Sequence, residues 1–102
     1  MTLGAWLQDR TPTPPPRLSV RIEDVLGDFA ARDERDAPVL CVDAAERLLR
    51  ELLAKPTGRA SALDLLTVDA LVTYAFEAAA REPSSLDALA ERAMSRLSLV
   101  SG

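Results

Sequence analysis

Apolar positions recur every three or four residues along most of this chain, and β-branched residues form no period-two runs. That spacing predicts helices, each burying one face. The longest such stretch is 61–80, SALDLLTVDALVTYAFEAAA, which contains neither Gly nor Pro. Leu65, Val68, Leu71, Val72, Ala75, Phe76 and Ala79 share its inner face. Ser61 and Asp64 have the spacing of an N-cap and an acid in the first turn, where the helix dipole favours negative charge. Leu63, Leu66 and Tyr74 lie off the main stripe. A helix apolar on more than one side meets more than one neighbour, so this one is expected at the centre of the fold. Thr73, Glu77 and Arg81 follow the opposite face, and Asp69 is expected to face solvent or to be salt-bridged.

Four further segments show the same period. Residues 2–10, TLGAWLQDR, form a short amphipathic helix with Leu3, Trp6 and Leu7 on one face and Thr2 as its cap. Gly4 weakens it by about 1 kcal/mol relative to Ala. Being too short to stand alone in water, it must dock on something. Residues 17–32 carry Leu18, Ile22, Val25, Leu26 and Phe29, with Gly27 expected to mark a close helix crossing. Residues 39–54 carry Val42, Ala45, Leu48, Leu49, Leu52 and Leu53, with Glu46, Arg47, Arg50 and Glu51 as the wet side. Val39–Val42 is strand-like in composition but has no strand partner elsewhere, so it reads as helix or lead-in coil. The last helix spans about 85–97, with Leu86, Leu89, Ala90, Ala93, Met94 and Leu97 inward. Ser84 and Asp87 repeat the capping spacing of Ser61 and Asp64.

Proline and glycine punctuate these elements. Residues 11–16, TPTPPP, impose extended geometry and form a stiff spacer of ~15–20 Å at about 3.1 Å per residue. Pro16 suits the first turn of the helix that follows. Asp33–Asp36 with Pro38, Pro56 with Gly58, and Pro83 supply the other breaks. The predicted fold is all-α: a compact bundle of four main helices with a short N-terminal helical arm on a proline-rich spacer. Residues 1–16 are arm and spacer, 17–98 the helical domain and 99–102 a fraying tail.

Composition narrows the function classes. A chain of 102 residues, nearly half hydrophobic but with few aromatics, builds one modest core of Leu, Ala and Val. The formal charge of −4 argues against a nucleic-acid binder dominated by phosphate contacts. The break at 54–59 is long for a helix-turn-helix, and the helix after it is too apolar to read DNA. Eleven of the twelve basic residues are Arg, and with abundant Ala this points to a GC-rich, bacterial genome. One cysteine, Cys41, excludes an internal disulfide and fits a reducing compartment. No signal peptide or membrane-length apolar run is visible, so a cytoplasmic protein is expected.

Candidate chemistry is sparse. There is no histidine, hence neither the commonest general base near neutral pH nor the commonest metal ligand. Cys41 sits in an apolar run and reads as a buried structural thiol. Asp33, Glu34 and Asp36 alternate with Arg32 and Arg35 as a solvated loop, without the spaced oxygens and Gly turn of a calcium loop. The four glycines are isolated, so no phosphate-cradling loop exists. Pro12 to Arg17 fits the PxxPxR pattern of ligands for SH3-type domains, although a rigid linker explains the same residues. Asp69–Glu77, DALVTYAFE, resembles a helix segment of trans-polyprenyl synthases. Val68 stands where that family has glycine, and its aspartate-rich diphosphate-binding motifs do not occur, so the resemblance implies no activity.

The expectation is therefore a non-enzymatic helical interaction module, with no cofactor and no metal: an adaptor, a regulatory subunit or an assembly component. Leu3, Trp6 and Leu7 on the arm, with Pro14 and Pro15 of the spacer, are the candidate docking residues, Trp being a common interface anchor. The competing expectation for the arm is that it folds back on its own domain. The alternative functions are a small-ligand or helper domain acting beside an enzyme, and a homo-oligomer formed through the surplus apolar face of the 61–80 helix. A protein partner or self-association is expected, without nucleic acid and without a membrane span.

Overall fold

In a computed structural model the chain forms helices at Leu3–Gln8 (α1), Pro16–Leu26 (α2), Ala37–Ala54 (α3), Arg59–Ala79 (α4) and Pro83–Ser101 (α5). Short 3-10 segments at Gly27–Ala31 and Glu34–Asp36 join α2 to α3. The structure describes the backbone of residues 1–10, 13–55, 59–81 and 83–101, and there all side chains except those of 59–60, 83–86, 97 and 99–101. The fold is the expected all-α bundle, 38 × 32 × 23 Å in extent. Helices α3 and α4 pack most extensively against each other; α2 packs on both, and so does α5. The short connections make α3–α4 and α4–α5 antiparallel hairpins.

The centre of the core is the first half of α3 rather than the 61–80 helix. Leu40, Cys41, Val42, Ala44 and Ala45 are all buried, so this part of α3 is enclosed nearly all round. A helix with successive apolar residues turned to different sides belongs in the interior, which is why the run 39–42 resembles a strand in composition and is helical in fact, with Leu40, Cys41 and Val42 buried and Val39 exposed. Pro38 lies in the first turn, where it gives up no helical hydrogen bond. The second half of α3 is less deeply placed, and Leu53 is exposed. Glu46, expected on the wet side, is buried, with its carboxylate paired to Arg50 one turn on.

Helix α4 begins at Arg59, ahead of the expected cap. Ser61 and Asp64 therefore lie inside the helix rather than at its first turn boundary. Asp64 instead reaches across to Arg21 of α2. The buried line of α4 is Thr67, Leu71, Ala75 and Ala79, four residues apart, facing α3. Thr67 is fully buried although polar. Its Oγ1 donates to the Leu63 carbonyl oxygen at 2.8 Å, which satisfies the hydroxyl within its own helix. Val68, Val72 and Phe76 are half-buried, whereas Leu65 is exposed rather than inward. Asp69 faces solvent, as expected.

Gly27 does not mark the expected helix crossing. Helix α2 ends at Leu26 because Gly27 adopts φ +51°, ψ −125°, a conformation strained for any residue with a Cβ. Among the described residues nothing lies within 4 Å of where a Gly27 Cβ would be, so none of their helices crosses there. The close approach is at Gly4 of α1, where a Cβ would stand 3.3 Å from the Ala30 carbonyl oxygen and 3.4 Å from Ala30 Cβ. Arg47 of α3 donates from Nη2 to the Val25 carbonyl at 2.6 Å, satisfying an acceptor in the last turn of α2.

Helix α5 starts at Pro83, and Leu89 and Ala93 face the core. Met94, expected inward, is 72% exposed. Helical backbone continues past the expected helix end at residue 97 to Ser101. The Ser84 side chain, the side chains of Leu86 and Leu97, the break at Pro56 and Gly58, the first two spacer residues and Gly102 lie outside the described residues. Asp43 of α3 holds α5 by pairing with Arg92 at 3.2 Å and Arg96 at 3.7 Å.

Candidate functional site

The docking residues read from the sequence divide in the structure. Leu3 is fully buried and Trp6 is 3% exposed, both in the same core cluster as α3 and α4. The arm folds back on its own domain, so Trp6 is not a projecting anchor. Burying a Leu side chain is worth about 1.5–3 kcal/mol, and Trp carries a larger apolar area; neither is given up by a free six-residue helix without a partner. The backbone fixes this placement. Thr2 bridges Asp33, Leu3 N donates to Arg32 O at 2.8 Å, and Glu34 N donates to Met1 O at 3.1 Å. Thr2 caps α1 through Oγ1, which accepts from Ala5 N at 3.2 Å. The Arg10 and Arg81 guanidinium groups lie 4.4 and 5.3 Å from the Trp6 ring centroid, as cation–π partners.

Leu7 and Pro14 are half-buried, and Pro15 is exposed. With Ile22, Leu26 and Tyr74, Leu7 and Pro14 line an apolar pocket of about 110 Å3 between the spacer and α2. A drug-sized ligand needs roughly 300–1,000 Å3, well above this volume. The PxxPxR register is broken, because Pro16 and Arg17 are already helical. Extended polyproline geometry does persist at Pro15, with φ −54° and ψ 149°.

An apolar and open surface lies between α2 and α4. Pro16, Arg17, Val20, Arg21, Asp24 and Leu63 line a groove of about 490 Å3. Val20 is 65% exposed, and Leu66, one turn along α4 from Leu63, is 57% exposed. The groove floor is fixed by charge. Arg21 Nε donates to Asp64 Oδ1 at 2.7 Å, Nη2 reaches Oδ2 at 3.4 Å, and Nη1 donates to Asp24 Oδ2 at 2.6 Å. This two-point grip on Asp64 holds the Arg21 guanidinium above its ordinary pKa against the opposing effect of burial, with Asp24 adding to it. Arg21 is thereby locked as a cation beside an apolar slot. Periodicity alone does not reveal this groove, because Leu63 and Leu66 read as contacts for a second helix, and α2 covers only part of that side.

The other candidate groups are structural in their geometry. Burial pushes the Cys41 thiol up to about 12, so it is not a nucleophile at neutral pH. Asp33 caps the 3-10 turn: its Oδ1 accepts from Arg35 N at 2.9 Å, and the Arg35 side chain pairs with it. The backbone hydrogen bond, then the Arg35 side chain, hold its carboxyl below the ordinary aspartate value. Among the described residues no cluster of three potential metal ligands occurs, and no helix is long and apolar enough to cross a membrane. No family model, curated protein or solved structure matches this chain.

Proposed function

We propose that this chain is a non-enzymatic helical interaction module that engages a protein partner through the apolar groove between α2 and α4. One observation carries the reading: Val20 is more than half exposed in a groove that Pro16 and Leu63 also line, exposed Leu66 follows one turn along α4 from Leu63, and the charged floor of the groove is already internally paired. Clustered apolar side chains on a surface mark interaction sites more often than isolated ones do. The pre-paired Arg21 means that a partner helix or strand lays apolar side chains into the groove without leaving that cation bare. The reading makes the protein an adaptor, regulatory or assembly subunit in the cytoplasm of a bacterium. It moves the docking surface from the arm, whose apolar residues are spent on the core, to the α2–α4 side.

Val20→Glu and Leu66→Glu test this, since both positions are exposed and tolerate charge without unfolding. A protein that co-purifies stoichiometrically with the unmodified chain, and is lost from both variants at unchanged thermal stability, supports the reading. Retention of that protein by Leu66→Glu and Val20→Glu alike overturns it.

A further inference from the structure

A second cavity, of about 350 Å3, lies between α1, the Glu34–Asp36 turn and the C-terminal end of α4. From Leu63 to Ala79 that helix rises about 24 Å at 1.5 Å per residue, so this cavity is separate from the α2–α4 groove. Pro38, Ala78 and Ala79 form its apolar wall, and Trp6, Glu34, Arg35 and Arg81 supply its polar groups. Small-molecule sites occupy roughly 300–1,000 Å3 and combine such walls with a few polar groups. Trp6 is 3% exposed, yet among the described residues its indole N–H donates to no acceptor. A buried indole N–H ordinarily has a partner. Arg92 Nε is unpaired and sealed from solvent; the indole nitrogen is not sealed, and Trp6 borders the cavity. At the rim, Arg81 Nη1 and Glu34 Oε2 stand 4.0 Å apart, too far for a hydrogen bond, and neither side chain makes one elsewhere among the described residues. Arg81 is steadied by the Trp6 ring, 5.3 Å from its centroid, whereas Arg35 is engaged by Asp33 at 3.3 Å. The cavity thus offers one carboxylate, one guanidinium and one N–H donor that are not committed to hydrogen bonds.

We infer that this cavity binds a free α-amino acid with a small apolar side chain. Glu34 takes the ammonium group, Arg81 and the Trp6 indole N–H take the carboxylate, and Pro38, Ala78 and Ala79 cover the side chain. The charges select this class. A simple anion drawn to Arg81 meets Glu34 only 4.0 Å from that guanidinium, and a simple cation drawn to Glu34 meets Arg81. Attraction and repulsion then largely cancel. A zwitterion laid alongside the pair, its own charges reversed, is attracted by both. In an α-amino acid the ammonium nitrogen and the carboxylate carbon are about 2.5 Å apart, and the carboxylate oxygens reach beyond that toward the spacing of the protein pair. Each contact is a charge-assisted hydrogen bond, the stronger kind. The three polar groups come from α1, the 3-10 turn and the end of α4, so the ligand also ties the arm to the bundle. This inference is independent of the α2–α4 groove.

Trp6 is the only tryptophan, so its fluorescence reports the site directly. The full chain is titrated with L-valine and with two molecules that each lack one of its charges: 3-methylbutanoate, without the ammonium, and 2-methylpropylamine, without the carboxylate. The expected result is a saturable change in Trp6 emission with L-valine, and binding at least about tenfold weaker for either analogue, since each gives up a charge-assisted contact. Glu34→Gln and Arg81→Gln, both at partly exposed positions, should each weaken L-valine binding by at least about tenfold while leaving the ligand-free helical melt close to that of the unmodified chain. The analogue comparison uses the unmodified chain, so it stands even where a variant loses stability. Three results overturn the inference: no saturable response to L-valine, L-alanine or L-leucine; an analogue with a single charge binding as tightly as L-valine; or unimpaired L-valine binding by either folded variant.

Discussion

Gly27→Ala separates two reasons for a glycine at the end of a helix. Were Gly27 a crossing point, a methyl group would collide with a neighbour and a larger side chain would collide more. The structure places nothing within 4 Å of that Cβ, while the backbone sits at φ +51° and ψ −125°. The cost is then one of conformation alone. A non-glycine residue held in such a region costs of order 1–3 kcal/mol. Alanine recovers about 0.4–1 kcal/mol by restricting the unfolded chain. The net expectation is a destabilisation of about 1–2 kcal/mol, which for a domain of this size lowers Tm by roughly 5–15 °C. Urea denaturation followed by helical circular dichroism measures it, with the midpoint falling and the slope unchanged. Gly27→Leu should cost about as much as Gly27→Ala, because the larger side chain points into open space. An unaltered midpoint in Gly27→Ala, or a Gly27→Leu much worse than Gly27→Ala, refutes the assignment of this glycine to backbone conformation.

Four other outcomes follow from the packing and the charges. Leu71, fully buried between α4 and α3, should lose about 2–5 kcal/mol on Leu71→Ala and fail to fold as Leu71→Asp, whereas exposed Asp69→Ala should leave the denaturant midpoint within about 0.5 kcal/mol. Asp64→Asn weakens the half-buried link to Arg21 and should cost roughly 1 kcal/mol; equal stability in a melt would restore a purely local role for Asp64 in its helix. Cys41 should resist a neutral-pH thiol reagent until the protein unfolds, so rapid labelling of the native chain would contradict its burial. Asp33 has a lowered folded pKa, so its contribution is present above the unfolded value near 3.8 and is lost as pH falls through the lower folded value. The acid limb of a pH–stability curve should therefore be shallower in Asp33→Asn, and an Asp33 carboxyl seen by NMR to titrate above 3.8 would disprove the turn geometry.

What the amino-acid order determined by itself is the local part of the structure. Three- and four-residue apolar spacing is a property of a single helix, so the five helices and their approximate limits were legible. So were the extended backbone at Pro15, the helix-starting place of Pro16, the Thr2 cap and the buried thiol of Cys41, each set by a residue and its immediate neighbours. The tertiary structure alone decided which apolar side chains are covered. Leu65 and Leu66 belong to an apolar helix and still face solvent, because α2 and α5 leave that part of α4 open. Leu40, Cys41 and Val42 are central because neighbours enclose α3 on several sides, while Val39 beside them is exposed; Glu46 is drawn inward with the buried three. Asp64 fits an N-terminal acid by spacing, yet Arg21 lies 43 residues away in sequence and only the packing of α2 on α4 brings the two together. Gly4 and Gly27 are alike in the sequence; one answers a contact with Ala30 and the other a backbone angle, and neither partner distance nor dihedral is written in the spacing. The α2–α4 groove belongs to the same class: it arises from where separate helices lie relative to one another, a long-range property that local periodicity does not encode.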